Sequence, residues 1–173
     1  MNAPHRHDVL IDRLADHVLE HGLAASSLRP LAKAAGTSDR MLIYYFTDKD
    51  AVIAAALDRV ATRMVALLDA AAPPAPLAPQ ALRAQLDPML SDPAVWPYMR
   101  LWLEMASRAA QGDTAIRGVG ARIGRTLADW LARHLDGPAD QRAAIAAQML
   151  IETEGSVLLT ALGMGDLVAL ARK

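Results

Sequence analysis

Residues 27–49, SLRPLAKAAGTSDRMLIYYFTDK, constrain the fold more than any other stretch, because they leave room for little besides two short helices meeting at a glycine. Ser27 suits an N-cap, and Pro30 falls in the first turn, where its missing N–H costs little. Leu28, Leu31, Ala32 and Ala35 then mark one apolar side at helical spacing. Gly36 fits the left-handed position that ends such a helix, since it has no Cβ to clash. Thr37 or Ser38 caps a second helix over residues 39–45. Leu42 and Phe46 turn inward there, leaving Asp39, Arg40, Met41, Tyr44 and Tyr45 outside. A further helix opens at Asp48.

Two short helices about a tight glycine turn form a helix-turn-helix unit, whose second helix can enter a DNA major groove. Helix–glycine–helix corners also occur in many α-proteins, so the spacing alone leaves both readings open. If DNA is the partner, Arg40 is the best candidate for paired hydrogen bonds to guanine O6 and N7. Arg29, near the start of the preceding helix, is a second base or phosphate candidate, and Thr37 and Ser38 can donate to phosphate as well as cap. A solvated Arg40 paired with Asp39 is the bland alternative.

Charge neither forces nor forbids that partner. The net charge of −1 argues against a general polyanion-coating protein, but the local field at a contact face is what matters. Between residues 27 and 50 four cations, Arg29, Lys33, Arg40 and Lys49, oppose Asp39, Asp48 and Asp50. That bias is weakly basic, so affinity is expected to be modest or to depend on dimer avidity. The absence of cysteine excludes disulfides, Cys-ligated zinc and thiol catalysis. With 173 residues and a hydrophobic content weighted to Ala and Leu, the chain can bury a substantial helical core. Residues 1–13 lack the apolar run of a signal peptide, and no apolar segment reaches the length of a membrane span. A cytoplasmic protein with no membrane partner is the expectation.

In chain order, residues 1–7 read as a loose arm, expected to be a disordered tail, with brushing of a DNA backbone by His5 and Arg6 as the lesser reading. A first helix over residues 8–21 turns Leu10, Ile11, Leu14, Val18 and Leu19 inward, with Asp12, Asp16 and Glu20 in solvent. His17 and His21 stand at i and i+4, a spacing that can hold a metal. No carboxylate completes that set in sequence, so surface or half-buried histidines are the expectation. A long helix from Asp48 to about residue 71 repeats Val52, Ile53, Ala56, Leu57, Val60, Met64, Leu67 and Leu68 on one stripe. The prolines of PPAPLAP (residues 73–79) stop it and form the clearest linker. Further helices are predicted at about 80–90, 93–111, 114–134, 140–162 and 166–172, with Pro88 and Pro97 leaving the first two short or bent. Gly118, Gly120 and Gly124 within 114–134 permit either close helix contact, an unwound turn beside a ligand, or a weak exposed helix.

The segment AAGTSDRMLIYYFTDKDAV resembles the signature of the TetR family of bacterial transcriptional regulators. It has a small residue–Gly–Thr–Ser turn, an aromatic pair before Phe, and a Lys just inside the next helix. Upstream, ADHVLEHGLAASSLRPLAKAAG is similar to that family's first helix, Gly-containing loop and second helix in order and length. The close similarity covers about residues 8–60; the remainder matches only in length and helical character. The resemblance implies an all-α fold of about nine helices. A three-helix helix-turn-helix DNA-binding domain would occupy residues 1–50, and a helical ligand-binding and dimerisation domain residues 51–173. It also implies that Tyr44, Tyr45 and Lys49 contact the DNA backbone, joined by the dipole of the fourth helix. The last two long helices would build a four-helix dimer interface, and the fourth would tie head to body. The implied function is a ligand-responsive repressor that binds a palindromic operator as a homodimer. This chain departs from the pattern at Ile43, where a Tyr commonly precedes the aromatic pair. Arg40 and Met41 are bulky where small residues are common. Asp39 would be repelled by phosphates unless it accepts from a cytosine amine or orients Arg40.

In the C-terminal half Trp96, Tyr98, Met99, Trp102 and Met105 cluster on one segment, with Met149 and Glu152 as expected neighbours. Aromatic and flexible Met side chains suit an adaptable effector pocket, and core packing is the competing reading. One of Glu152 and Glu154 is expected to be buried and to need a partner, whether an effector, Arg108 or a subunit-interface group. No cofactor is implied. Glu152 and Glu154 diverge on a helix, Gly155-Ser156 lacks a nucleophile-elbow context, and no phosphate loop appears, so catalysis is not expected. The alternative to a regulator is a TetR-like helical interaction protein that has lost DNA binding.

Overall fold

The computed structural model describes residues 3–171, and side chains from residue 7 onward. These residues form nine helices: α1 (Ala3–His21), α2 (Leu28–Ala35), α3 (Asp39–Phe46), α4 (Lys49–Ala70), α5 (Pro79–Leu90), α6 (Trp96–Ala110), α7 (Thr114–His134), α8 (Ala139–Ala161) and α9 (Gly165–Ala171). The fold is all-α; the described residues hold no strand, only an isolated bridge between Leu77 and Leu135. None of the helices is long and apolar enough to cross a membrane.

Most of the predicted boundaries hold within a residue or two. The start of α1 does not. The helix already runs from Ala3, so residues 3–7 of the expected loose arm are helical; Met1, Asn2 and the side chains of His5 and Arg6 lie outside the described residues. Pro4 is the physical reason, because its fixed φ suits a first helical turn. The same chemistry moves the start of α6 to Trp96, which puts Pro97 in the first turn, where its missing N–H is no loss. Ahead of it the Asp92 carboxylate accepts from the Ala94 N–H at 2.8 Å and its carbonyl from Val95 at 2.9 Å, turning residues 92–95 before the helix begins. Pro88 lies inside α5, close to its end. α7 stays helical through its three glycines: an added Cβ at Gly118 would meet nothing, and one at Gly120 would touch Met105 at 3.7 Å.

Two compact units emerge. The first holds α1 to Leu67 of α4, together with Arg100–Ile123. Its core is Leu14, Ala15, Val18, Leu31, Leu42, Val52 and Ala56, each wholly buried. Leu67 departs from the predicted apolar stripe and is 37% exposed. Across α1 and α4 runs a ladder of ion pairs: Arg59 bridges Asp8 (2.9 Å) and Asp12 (2.8 Å), and Arg63 bridges Asp12 (2.8 Å) and Asp16 (2.6 Å). The spacing i, i+4 on each helix makes the ladder possible. Burial opposes charge on Asp12, yet hydrogen bonds from Arg63 and Arg59 outweigh it and hold the carboxyl below its ordinary value. Burial likewise disfavours the charged Arg63, and Asp16 and Asp12 reverse the sign.

α6 fastens the end of α1. The Arg100 guanidinium donates to the Leu19 and Glu20 carbonyls at 2.7 and 2.9 Å, satisfying C-terminal acceptors of that helix. One turn on, the Glu104 carboxylate accepts from the backbone N–H groups of Leu23 (2.8 Å) and Ala24 (2.7 Å). Gly22 turns the chain into this clasp at φ 76°, and a Cβ there would stand 2.6 Å from Glu104 Oε2.

The second unit comprises residues 68–99 and 124–173. Its centre is Trp130, fully buried, whose Nε1 donates to Asp69 at 2.7 Å and whose ring stacks on His134 with centroids 4.0 Å apart. Leu82, Leu86, Leu135, Ala146 and Met149 complete its core. The proline-rich linker is anchored here. The Leu77 N–H donates to the His134 carbonyl (2.9 Å), and the Leu77 carbonyl accepts from Asp136 (3.0 Å).

Candidate nucleic-acid interface

The candidate interface is assembled from α2, α3 and the start of α4. α2 packs Leu31, Ala32 and Ala35 inward. Ser27 occupies its N-cap with extended backbone, but the side chain makes no capping bond; its carbonyl alone accepts, from the Leu31 N–H. Gly36 ends the helix at φ 70°, ψ 35°, donating to Lys33, while the Thr37 N–H donates back to Ala32. Arg13 of α1 reaches over this turn, 3.4 Å from the Ala35 carbonyl, and a Cβ on Gly36 would lie 2.7 Å from its Nη1. The left-handed conformation is what requires glycine here, since the Arg13 guanidinium, at the end of a flexible side chain, can move aside.

Of the two predicted caps for α3, Ser38 is the one used: its Oγ accepts from the Met41 N–H at 3.3 Å. α3 buries Leu42 completely and leaves Phe46 8% exposed. Asp39, Arg40, Met41, Tyr44 and Tyr45 are all exposed, Tyr44 at 79% the most open large apolar side chain in the described chain. Among the described residues the Arg40 guanidinium has no partner, so the pairing with Asp39 considered above is not formed. Ile43, in place of the Tyr common in the resembled family, is 37% exposed.

The turn into α4 is tight. Thr47 has φ 69° and ψ −53°, and the Asp48 N–H donates to the Phe46 carbonyl at 2.7 Å across it. Such a conformation in a β-branched residue costs on the order of 1–3 kcal/mol and persists only where its surroundings hold it. Asp48 then caps α4 through its carboxylate, which accepts from the Ala51 N–H at 2.8 Å, and Lys49 stands exposed in the first turn. Backbone N–H groups at that helix end and the Lys49 ammonium make a place where a phosphate is stabilised. Arg29 lines an open groove between α1 and α2 with Lys33, His17 and His21.

In that groove the His17 and His21 rings meet edge-on at 4.6 Å. Burial, then the neighbouring His21, holds the His17 imidazole below its ordinary value. No group of three or more metal-ligating side chains occurs among the described residues.

The residues expected to meet an effector divide between the units. Trp102 (half-buried) and Met105 (buried) belong to the first. Trp96 (exposed), Met99 (half-buried), Met149 (buried) and Glu152 (exposed) belong to the second. Glu152 is not the buried carboxylate anticipated from the apolar helix around it. It pairs with Arg83 and accepts from Gln148 at 2.9 Å, and these hydrogen bonds hold its pKa below the ordinary value. Arg108, the suggested partner, instead holds Asp113 at 2.5 Å. Sequence reasoning missed Glu104, Arg100, Trp130 and His7. Contacts some 80 residues apart give the first two no local signal, whereas the third indole was open to consideration beside Trp96 and Trp102.

Comparison with known proteins bears on this geometry. Residues 11–56 match the model of the bacterial regulatory proteins, tetR family, a span from α1 through the glycine turn and α3 into α4. Among solved structures, a transcriptional regulator from Rhodococcus sp. Rha1 is 25% identical, with TM-score 0.69 over 99% of this chain and 92% of that one. A regulator from Streptomyces coelicolor A3(2) is 22% identical, with TM-score 0.73 over 96% and 97% of the two chains. A TetR transcriptional regulator from Legionella pneumophila shares the fold at 18% identity and TM-score 0.67, over 100% and 98%. Among curated proteins none matches significantly. Residues 11–56 thus carry a segment similar to the bacterial regulatory proteins of the tetR family, and the nine described helices share their fold along nearly the whole chain with solved transcriptional regulators.

Proposed function

We propose that the protein is a DNA-binding transcriptional regulator, a repressor that binds a near-palindromic operator as a homodimer and releases it on binding a small molecule. One observation carries the DNA reading: α3 is anchored by Leu42 and Phe46 while its whole outer row, Asp39, Arg40, Met41, Tyr44 and Tyr45, stays open. In this reading Arg40 reads guanine, Asp39 and Met41 flank it on base edges, and Tyr44, Tyr45 and Lys49 hold phosphates. Thr37 and Arg29 add backbone contacts. Ser38 already spends its Oγ on the cap, so its hydroxyl proton is what it offers a phosphate. Residues 1–50 supply this DNA-binding head and residues 51–173 the body.

Self-association is supported by an unusual exposed stripe. Ile151 (71%), Leu158 (49%) and Leu162 (64%) lie on one face of α8 and its end, followed by Leu167 (48%) and Leu170 (64%) on α9. Apolar side chains this open on adjoining helices fit a covered interface better than a free surface. Two heads in one dimer would then address successive major grooves about one turn apart. Trp96, Met99 and Met149 are the apolar groups proposed to meet an effector in the second unit. The effector's reach is limited by its differential affinity for the DNA-bound and released forms.

The test is selection of duplexes from sheared genomic DNA by the full chain, followed by Arg40→Ala. A regulator enriches one inverted-repeat sequence and loses preference for it in the variant. Enrichment of nothing favours the helical interaction protein instead.

A further inference from the structure

His7 sits in the second turn of α1, far in sequence from α3, and its imidazole lies against the recognition helix. The ring stacks on Phe46, with centroids 5.3 Å apart and planes 28° from parallel. It meets Tyr45 edge-on at 6.0 Å and 61°, and Tyr45 in turn meets Tyr44 edge-on at 5.6 Å and 73°. All three separations fall within the roughly 4.5–7 Å over which aromatic pairs attract beyond their burial. The row thus starts at Phe46, an anchor 8% exposed, and ends at Tyr44, 79% exposed.

That arrangement addresses a physical problem of the DNA face. An exposed tyrosine on a short helix is free to change rotamer, and holding it still on binding costs affinity. Two rings meet that of Tyr45, His7 from α1 and Tyr44 from its own helix, so its rotamer is limited before any phosphate arrives. Phe46 is also the residue before Thr47, whose φ is 69°, so the ring that stacks on the imidazole belongs to the last residue of α3.

We infer that His7 is a positioning residue of the DNA-binding face, ordering Tyr45, and Tyr44 through it, for backbone contact; the inference rests on the DNA-binding reading above. The contact needs a flat ring at position 7, not a charge. His7→Ala therefore weakens binding to a duplex selected by the wild-type chain by about three- to ten-fold, the range that loss of one aromatic pair corresponds to. His7→Phe restores it to within about two-fold. Both are read at a temperature where circular dichroism reports full helix, so a merely less stable α1 would leave the affinity unchanged. Labelling with 3-fluorotyrosine adds a readout independent of DNA, because the chain has three tyrosines and Tyr98 serves as the internal control. His7→Ala should move the Tyr45 fluorine resonance and leave that of Tyr98 in place. An affinity unchanged in His7→Ala, a His7→Phe as weak as His7→Ala, or an unmoved Tyr45 resonance each overturns the inference. If the wild-type chain selects no duplex, the DNA reading fails on its own, and the Tyr45 resonance still decides whether His7 orders that ring.

Discussion

Replacing Glu104 by Ala removes the carboxylate that closes the turn after α1, and the structure allows the cost to be worked out. Two backbone N–H groups, of Leu23 and Ala24, lose acceptors at 2.8 and 2.7 Å. A hydrogen bond to a charged group contributes roughly 1.5–3 kcal/mol where it is shielded, and only about 0.5 kcal/mol where water can replace the partner. The Ala24 bond is exposed and water substitutes readily there, whereas the Leu23 bond is partly buried and leaves a donor poorly satisfied. The sum is about 2–3 kcal/mol of unfolding free energy, or roughly 4–12 °C in Tm for a chain of this length. Glu104→Gln keeps one acceptor oxygen and turns an NH2 toward the other N–H, so it should lose about half or more of the same amount.

Gly22→Ala incurs two costs in the wild-type background: a left-handed conformation at φ 76°, and a Cβ 2.6 Å from Glu104 Oε2. In the Glu104→Ala background the second disappears and about 1–2 kcal/mol of left-handed strain remains. Gly22→Ala should thus destabilise the wild type more than it destabilises the variant, measured by urea unfolding on all four proteins of the cycle. Additive effects, or a Glu104→Ala cost below about 1 kcal/mol, would mean that the clasp is a surface contact and not a constraint on the end of α1.

Lys49→Ala should weaken binding to all duplexes alike and reduce the salt slope of log K by about one phosphate's worth, read by fluorescence anisotropy at several salt concentrations; an unaltered slope would remove Lys49 from the interface. Acid should act on stability in two stages. The depressed His17 pKa means the unfolded chain takes its proton first, so stability falls as pH drops through the ordinary imidazole value. Asp12, also depressed, contributes stability present above the ordinary carboxylate value and lost as pH falls through the folded one. The difference between wild type and His17→Leu across a urea series isolates the first stage, and a wild type gaining stability there would contradict the sign. Leu162→Glu places a charge on the exposed stripe of α8 and should leave a folded monomer in sedimentation, whereas an unchanged dimer would locate the interface elsewhere. An effector that releases DNA should quench or shift Trp96 emission over a constant background from the buried Trp130. Release with no change in Trp96 would misplace the site.

Local chemistry was legible in the sequence, and tertiary choice was not. Gly36, Leu42, Phe46 and the Asp48 cap follow from spacing and side-chain type alone, and the structure uses each as expected. Ser27 has the same capping chemistry as Ser38, yet only Ser38 makes the side-chain bond. Pro4 and Pro97 were read as loose or disruptive, although a first turn welcomes them. Three tryptophans looked alike in sequence; buried Trp130 donates to Asp69, a residue 61 positions away that no periodicity brings to it, whereas Trp96 stays exposed. The proline run was recognisable as a helix stop, while its anchoring through Leu77 depends on the end of α7. In the interface, exposure of the α3 row was predictable because its two inward residues are. The imidazole from α1 was not, since residue 7 fell in a stretch read as an arm.

The most direct measurement is dimethyl sulfate footprinting of a selected duplex, because guanine N7 is read from the major groove, where α3 is proposed to lie. Two protected guanine patches about one helical turn apart, both lost in Arg40→Ala with the fold intact, are the predicted result. Guanines that stay fully reactive under saturating protein, or protection that survives Arg40→Ala, would contradict it.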